Sequence, residues 1–236
     1  MKVAILSDIH ANAAALNAVL EQAKAAEVEK LVLLGDYVGY YYQPRVVIAK
    51  LLEWNHVAIL GNHDRMALTA RHDMKLRETY RAKYGSSLDA ALDELDEDSW
   101  QWLGSLPQQK RIKLGRWSVH LAHGAPHDDD AYIYPNSEAT LLERTKADTD
   151  ADAIWLGNTH WPYHSLGTPA LLNPGSVGQP RDLGGMASWC LFDTVTGTIA
   201  HRRTAFDTRP LVAECRKRDP ELPQLAEILS RGVRDE

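Results

Sequence analysis

Val3-Ala4-Ile5-Leu6-Ser7-Asp8-Ile9-His10 is an apolar run that ends in two metal-ligand residues. Its nearly continuous hydrophobicity suits a strand buried on both faces, the kind that builds parallel sheets. Ligands of such sheets bind beyond the carboxyl ends of the strands, which is where Asp8 and His10 fall. The same phrase recurs along the chain. Leu31-Val32-Leu33-Leu34 runs into Gly35-Asp36, and Val57-Ala58-Ile59-Leu60 into Gly61-Asn62-His63-Asp64. Ala153-Ile154-Trp155-Leu156 runs into Gly157-Asn158-Thr159-His160, and a fifth cluster, His123-Gly124, follows the strand-like 117–122. Strand ends of one sheet bring residues distant in sequence to one point, so these clusters predict a shared metal centre.

The chain has 236 residues, 44% of them hydrophobic and 25% charged, an ordinary globular composition with enough apolar material for a real core. No Pro/Gly/Ser-rich linker divides it, and a single α/β domain over residues 1–236 is expected. No stretch approaches the roughly 18 uninterrupted apolar residues of a membrane span. The first strand begins at Lys2 without a signal-peptide pattern, and the two cysteines, Cys190 and Cys215, lack metal-ligand spacing. A cytoplasmic location without disulfides is the expectation. A net charge of −6 leaves no basic footprint for long nucleic acids. The one basic run, Arg216-Lys217-Arg218, is flanked by Glu214 and Asp219 and reads as a solvated helix end. The expected partner is therefore a small substrate.

Hydrophobic periodicity predicts a strand at 2–7, a helix at 11–26 with Asn12 as its cap, and a strand at 30–34. Pro44 opens a second helix through Trp54, and a strand follows at 57–60. Residues 65–107 hold no strand-like run. They predict a helical insertion in about three pieces, broken near Gly85-Ser86-Ser87, that either covers the centre or packs on the sheet. Strands resume at 110–114 and 117–122 around a Gly115-Arg116 turn. Ser137 is expected to cap a helix to about Lys146, before the strand at 153–156. Strands at 170–173, 187–193 and 198–206 read as an antiparallel set and a second sheet. Helices at 209–218 and 221–231 close the chain.

Asp8 and His10 stand two apart, so on extended backbone both point at one ion. Asp36 can offer one carboxylate oxygen to each of two metals, Asn62 a carboxamide oxygen, and His123 and His160 imidazoles. A mixed oxygen and nitrogen set without thiolate suits Mn²⁺, Fe or Zn²⁺. Two ions roughly 3.5–4 Å apart would activate a bridging water and stabilise an in-line displacement at phosphorus. His63 is left over from the ligand count and is the candidate general acid for a leaving alkoxide. Asp64 is the candidate to orient its ring and keep it protonated.

Taken together, Asp8-x-His10, Gly35-Asp36, Gly61-Asn62-His63-Asp64, His123 and Gly157-Asn158-x-His160 resemble the signature of the calcineurin-like metallophosphoesterases. Asp8-Ile-His-Ala-Asn12, Asp36-Tyr-Val-Gly-Tyr40 and Asn173-Pro-Gly-Ser-Val-Gly-Gln-Pro-Arg-Asp182 are similar to its compact bacterial and archaeal branch, which includes phosphodiesterases and diadenosine tetraphosphatase-like proteins. The resemblance covers nearly the whole chain. It implies a four-layer αββα sandwich with two mixed β-sheets face to face. It also implies one ion held by Asp8, His10, Asp36 and His160, and another by Asp36, Asn62 and His123. The family completes the second set with the first His of Gly-His-x-His, where this chain has Asn158. An amide oxygen on a shorter side chain binds directly or through water, and it predicts a second site that holds metal less firmly.

Around the centre, Tyr37, Tyr40, Tyr41 and Tyr42 either stack on a substrate base or pack within the protein. Arg181 either grips a phosphate oxygen or pairs with Asp182. His164 is a substitute ligand or a surface histidine, and Trp161 and Tyr163 are a pocket wall or core. Asp128-Asp129-Asp130 reads as a solvated acidic turn. The function expected is hydrolysis of a small phosphodiester or nucleotide. The alternatives are phosphomonoester or dinucleoside polyphosphate hydrolysis, and a non-catalytic binding scaffold of the kind one eukaryotic trafficking relative makes of this fold.

Overall fold

The computed structural model describes residues 1–147 and 149–232. The first apolar runs form β1 (Lys2–Leu6), β2 (Lys30–Leu33) and β3 (His56–Ala58), joined through α1 (Ala13–Ala25) and α2 (Pro44–Leu52). These strands pair in parallel, Val3 opposite Lys30 and Leu31 opposite His56. Asn12 caps α1 as expected, accepting from the Ala15 N–H at 3.1 Å. Four helices follow where three were expected: α3 (Asn62–Ala70), α4 (Met74–Tyr84), α5 (Ser87–Glu94) and α6 (Glu97–Ser105). The extra break comes at Asp73, whose side chain caps α4 by accepting from Leu76 N–H.

β4 (Gln109–Leu114) and β5 (Trp117–Ala122) form the expected hairpin, and α7 (Ala139–Ala147), β6 (Ala153–Trp155), β7 (Pro162–His164) and β8 (Ala170–Pro174) come next. Ser137 does not cap α7. Its hydroxyl accepts from the Tyr134 N–H at 2.9 Å, and the Glu138 carbonyl takes the first N–H groups of the helix. β9 (Met186–Asp193) and β10 (Ile199–Ala205) lead to α8 (Arg209–Arg218), α9 (Gln224–Glu227) and a 3₁₀ turn at Ile228–Ser230. Pro223 shortens the last predicted helix by delaying its start. No helix among the described residues is long and apolar enough to cross a membrane.

The late strands do not make a sheet of their own. β9 pairs antiparallel with β1, so the first sheet has the order β10-β9-β1-β2-β3, and β8 joins β6 in parallel within a second sheet ordered β4-β5-β6-β8-β7. Local pattern could not reveal this, because β9 is buried on both faces from Ala187 to Cys190 and carries no alternation to mark an outer edge.

Side-chain alternation separates the layers. Val3, Ile5 and Val32 point from the first sheet to meet Val119, Leu121, Trp155 and Leu172 of the second. Ala4, Leu6, Leu31 and Leu33 point the other way, onto α1, α2 and the 62–105 helices through Leu16, Val47, Ala67, Leu88 and Leu103. On the far side of the second sheet, Ala122, Ile154 and Leu171 pack beneath Ile133 and α7. The result is the expected αββα arrangement of two mixed five-stranded sheets.

The helical segment does both things allowed for it. α3, α5 and α6 bury residues on the sheet, whereas α4 buries none and carries Tyr84 to the strand ends. The loops there are held together by backbone. Ile9 and His10 N–H donate to the Asp36 carbonyl, Ala11 N–H to Tyr37, and Gly178 N–H to Asp8, at 2.8–2.9 Å. A Cβ at Gly178 would run into the Ile9 carbonyl oxygen, a backbone atom that cannot move aside. Gly178→Ala is expected to destabilise the chain by about 1–3 kcal/mol in urea unfolding, as overpacking of a tight contact does.

Candidate metal centre

The strand-end loops turn sharply. Asp8, His10, Ala11, Asp36, Tyr40, Asn158 and His160 all have φ between 50° and 63°, and among the described non-glycine residues only Glu27 shares that conformation elsewhere. Left-handed backbone is tolerated best by Asp, Asn and His, and it clusters at functional sites. Asp8 and His10 therefore do not converge by alternation along extended chain, as the sequence suggested. Two successive tight turns bring them together.

The structure brings Asp8, His10, Asp36, His123 and His160 into one buried cluster, with the half-buried Asn62 at its rim. His160 Nε2 is 3.2 Å from Asp8 Oδ1, and His123 Nε2 is 3.3 Å from Asp36 Oδ2 and 3.0 Å from Asn62 Oδ1. His10 Nε2 lies 3.7 Å from both Asp8 Oδ1 and Asp36 Oδ2. Three ligand triads result: Asp8–His10–His160, Asp8–Asp36–His123 and His10–Asp36–His63. Asp36 uses its two oxygens differently from expectation. Oδ1 accepts the His63 backbone N–H at 2.8 Å, which leaves Oδ2 alone facing both His10 and His123.

Three backbone carbonyls fix the imidazoles. Val38 O faces His10 Nδ1 at 3.1 Å, Leu34 O faces His123 Nδ1 at 2.6 Å, and Gln179 O faces His160 Nδ1 at 2.8 Å. A carbonyl can only accept, so each Nδ1 carries hydrogen and each ring turns its Nε2 atom to the centre. His10 and His160 Nε2 are 3.1 Å apart, and both Asp8 oxygens are buried without a hydrogen-bond partner. Lone pairs and carboxylates gathered this closely repel one another unless a cation lies among them. Burial opposes ionisation of Asp8, but the His160 and His123 rings outweigh it and hold the carboxyl at about 2. Burial likewise opposes protonation of His123, yet Asp36 and Asp8 push it up to about 10. The pocket demands positive charge, and the donor set fits divalent metal.

His63 lies beside this cluster with its ring on Gly39, where a Cβ would stand 2.5 Å from Nδ1. Tyr40 and Tyr84 each lie 4.7 Å from it, centroid to centroid, and His10 lies 5.0 Å away. Burial pushes its imidazole down to about 4, against the pull of Asp36. Asp64 does not orient that ring. Its Oδ2 accepts from Asp36 and Gly61 N–H, and its Oδ1 from Tyr37 and Val38 N–H, at 2.8–3.2 Å. As the third residue of α3 its side chain reaches back over the helix start and staples two loops together. Burial and the Asp36 carboxylate push it up to about 7, while the Gly61 and Val38 N–H groups pull it down.

Asn158 is buried at the edge of the cluster, and its Nδ2 donates to the Asp130 and Ala131 carbonyls at 3.1 and 3.0 Å. Of the four tyrosines after Asp36, only Tyr40 faces the centre, 4.6 Å from the His10 ring; burial pushes its hydroxyl up to about 12 despite nearby Arg181. Tyr37 is core and donates to the Ile59 carbonyl at 2.7 Å, and Tyr41 and Tyr42 pack against the C-terminal helices. Arg181 is not paired with Asp182, which is held by Arg203. His164 lies outside the centre and stacks on His201 at 5.4 Å. Tyr163 is core, donating to the Ile133 carbonyl, while Trp161 borders a separate surface cavity with Tyr134 and Pro135. Sequence reasoning missed Tyr84 and Tyr132, because neither adjoins a ligand cluster. It also missed the three orienting carbonyls, which have no side-chain signature.

The family model of the calcineurin-like phosphoesterase superfamily domain matches residues 1–197, and the chain belongs to that superfamily. An uncharacterized protein of Methanocaldococcus jannaschii is 29% identical over 88% of each chain. The crystal structure of a metallophosphoesterase from Sphaerobacter thermophilus is 27% identical with a TM-score of 0.79, covering 97% of this chain and 98% of that one. A hypothetical protein of Pyrococcus horikoshii shares the fold with a TM-score of 0.84 at 22% identity, covering 99% of both chains.

The staple has a direct test. Asp64→Asn replaces one acceptor oxygen by an NH₂ group that must face two backbone N–H groups. It is expected to cost about 3 kcal/mol or more in urea unfolding, with faster hydrogen exchange of the amides of residues 36–38.

Proposed function

We propose that the chain is a dinuclear metal-dependent phosphoesterase that hydrolyses a small phosphodiester or nucleotide. The observation that carries this reading is the convergence of three imidazole Nε2 atoms on two buried carboxylates, with both Asp8 oxygens left without a hydrogen-bond partner. Asp8, His10, Asp36 and His160 would hold one ion, and Asp36, Asn62 and His123 the other. When bound, the ions supply the positive charge that phosphoryl oxygens require and acidify water for attack. Mn²⁺, Fe or Zn²⁺ suits these oxygen and nitrogen donors. The likeness to the Sphaerobacter metallophosphoesterase supports the same chemistry.

The chain's own contribution is orientation and proton delivery. The Val38, Leu34 and Gln179 carbonyls hold the rings so that binding requires no rotation. Arg181 has no carboxylate partner among the described residues and is the cation for a non-bridging phosphate oxygen. His63 is the general acid for the leaving alkoxide. In the free chain burial keeps it neutral, and the negative charge of a bound phosphate acts in the opposite direction.

Purified protein with Mn²⁺ is expected to hydrolyse bis-p-nitrophenyl phosphate in preference to p-nitrophenyl phosphate, and EDTA should abolish turnover. Hydrolysis of neither by metal-bound protein would favour the binding scaffold. His63→Ala is expected to lower kcat by about 10²–10⁴-fold on a substrate with a poor leaving group while metal content is retained. An equal rate removes His63 from the acid role.

Asn158 generates a separate expectation. In metal titration by calorimetry, Asn158→His should bind the second ion at least about tenfold tighter than the native chain. Equal second-site affinity would end the argument that the amide weakens that site.

A further inference from the structure

Beside Asn62 a cavity of about 390 Å³ opens between the metal centre and α4. Tyr80, Lys83 and Tyr84 of α4, Arg65 of α3, Tyr132 and the carboxylate of Asp130 line it. It adjoins the centre at two points, through Asn62 and through Tyr84, whose ring stands edge-on to His63. The volume falls in the range that small-molecule sites occupy.

The walls offer two kinds of recognition. The first is aromatic: Tyr84 also lies 5.6 Å from Tyr40, and Tyr132 leaves 49% of its surface exposed. The second is cationic. Lys83 is exposed, its Nζ 4.9 Å above the Tyr84 ring and drawn to the Tyr84 side chain, and it has no carboxylate partner among the described residues. Arg65 pairs one Nη with Asp130, while its other, Nη1, is buried without a hydrogen-bond acceptor. A buried guanidinium nitrogen left open is costly unless a ligand atom completes it. Flat faces beside an ammonium and a guanidinium nitrogen without an acceptor recognise a planar ring joined to an anionic group, and that anion is additional to the one at the metal centre.

We propose that this cavity is the subsite for the organic half of the substrate, and that this half carries an aromatic heterocycle and a second phosphate, as in a nucleotide with at least two phosphate groups. The proposal rests on the phosphoesterase reading above. Tyr84 and Tyr132 take the ring, and Lys83 and Arg65 take the second phosphate. Asn158 is a positioning residue here, since its two hydrogen bonds hold the Asp130-Ala131 backbone that leads into Tyr132.

The test is calorimetry on the Mn²⁺-loaded protein with inorganic phosphate, ribose 5-phosphate, adenosine 5′-monophosphate and the α,β-methylene analogue of adenosine diphosphate. The monophosphate should bind about tenfold or more tighter than ribose 5-phosphate, which reports the ring. The methylene analogue should bind roughly another tenfold tighter, which reports the second phosphate. Tyr132→Ala should erase the first difference and Tyr132→Phe keep it. Lys83→Met should reduce the second and Lys83→Arg keep it. If inorganic phosphate binds but adenosine monophosphate and ribose 5-phosphate bind alike, the subsite is overturned and the metal-centre reading stands. The subsite is equally overturned if Tyr132→Ala keeps the full ring preference. If inorganic phosphate itself does not bind, the phosphoesterase reading falls and this proposal falls with it.

Discussion

Asp8 is wholly buried with neither carboxylate oxygen meeting a donor, and the surrounding structure is arranged around that unpaired negative charge. A carboxylate in such a place is tolerable only beside positive charge. The protein does not supply a lysine or arginine there. It supplies imidazoles whose Nδ1 protons are committed to the Val38, Leu34 and Gln179 carbonyls and whose Nε2 atoms face inward, and the two carboxylates draw a proton onto one of them, His123. Asp8 is thus left without a donor among closely packed Nε2 atoms, and a cation held there would relieve these groups together. Affinity for metal and stability of the loops are consequently the same free energy viewed from two directions.

The carbonyls matter because they belong to different parts of the chain. Leu34 follows β2, Val38 lies in the loop beyond Asp36, and Gln179 lies between β8 and β9. Asp64 joins the second of these to the start of α3, and Gly178 packs the third against Ile9. Each imidazole is therefore aimed by a segment other than its own. Such a centre has little freedom to adjust one ligand alone, which suits chemistry that depends on fixed geometry.

Much of this was legible in the chain itself, and the limits have physical causes. β1, β2, β3 and β6 announce themselves because a buried parallel strand is a continuous apolar run, and Asp, Asn and His at their ends are readable because few other side chains bind metal. The partners of β9 were not readable, since which strand edge it finds depends on the whole sheet. β7, three residues long and beginning with Pro162, carried no strand pattern of its own. Asp64 was read as a neighbour of His63. Side chains near a helix start lean back toward the N-terminus, and that turned it to four backbone N–H groups instead. Tyr84 reaches His63 from 21 positions downstream, a contact made by the packing of α4 and invisible to local pattern.

The left-handed turns at 8, 10, 36, 158 and 160 set which replacements the chain can survive there. β-Branched side chains are strongly disfavoured by collision with their own main chain, and glycine, aspartate, asparagine and histidine tolerate the conformation best. An imidazole and a carboxamide are thus neighbours in conformational terms at position 158, however unlike as donors. Variation in metal preference among proteins of this architecture can proceed through such exchanges without refolding the turn that presents them.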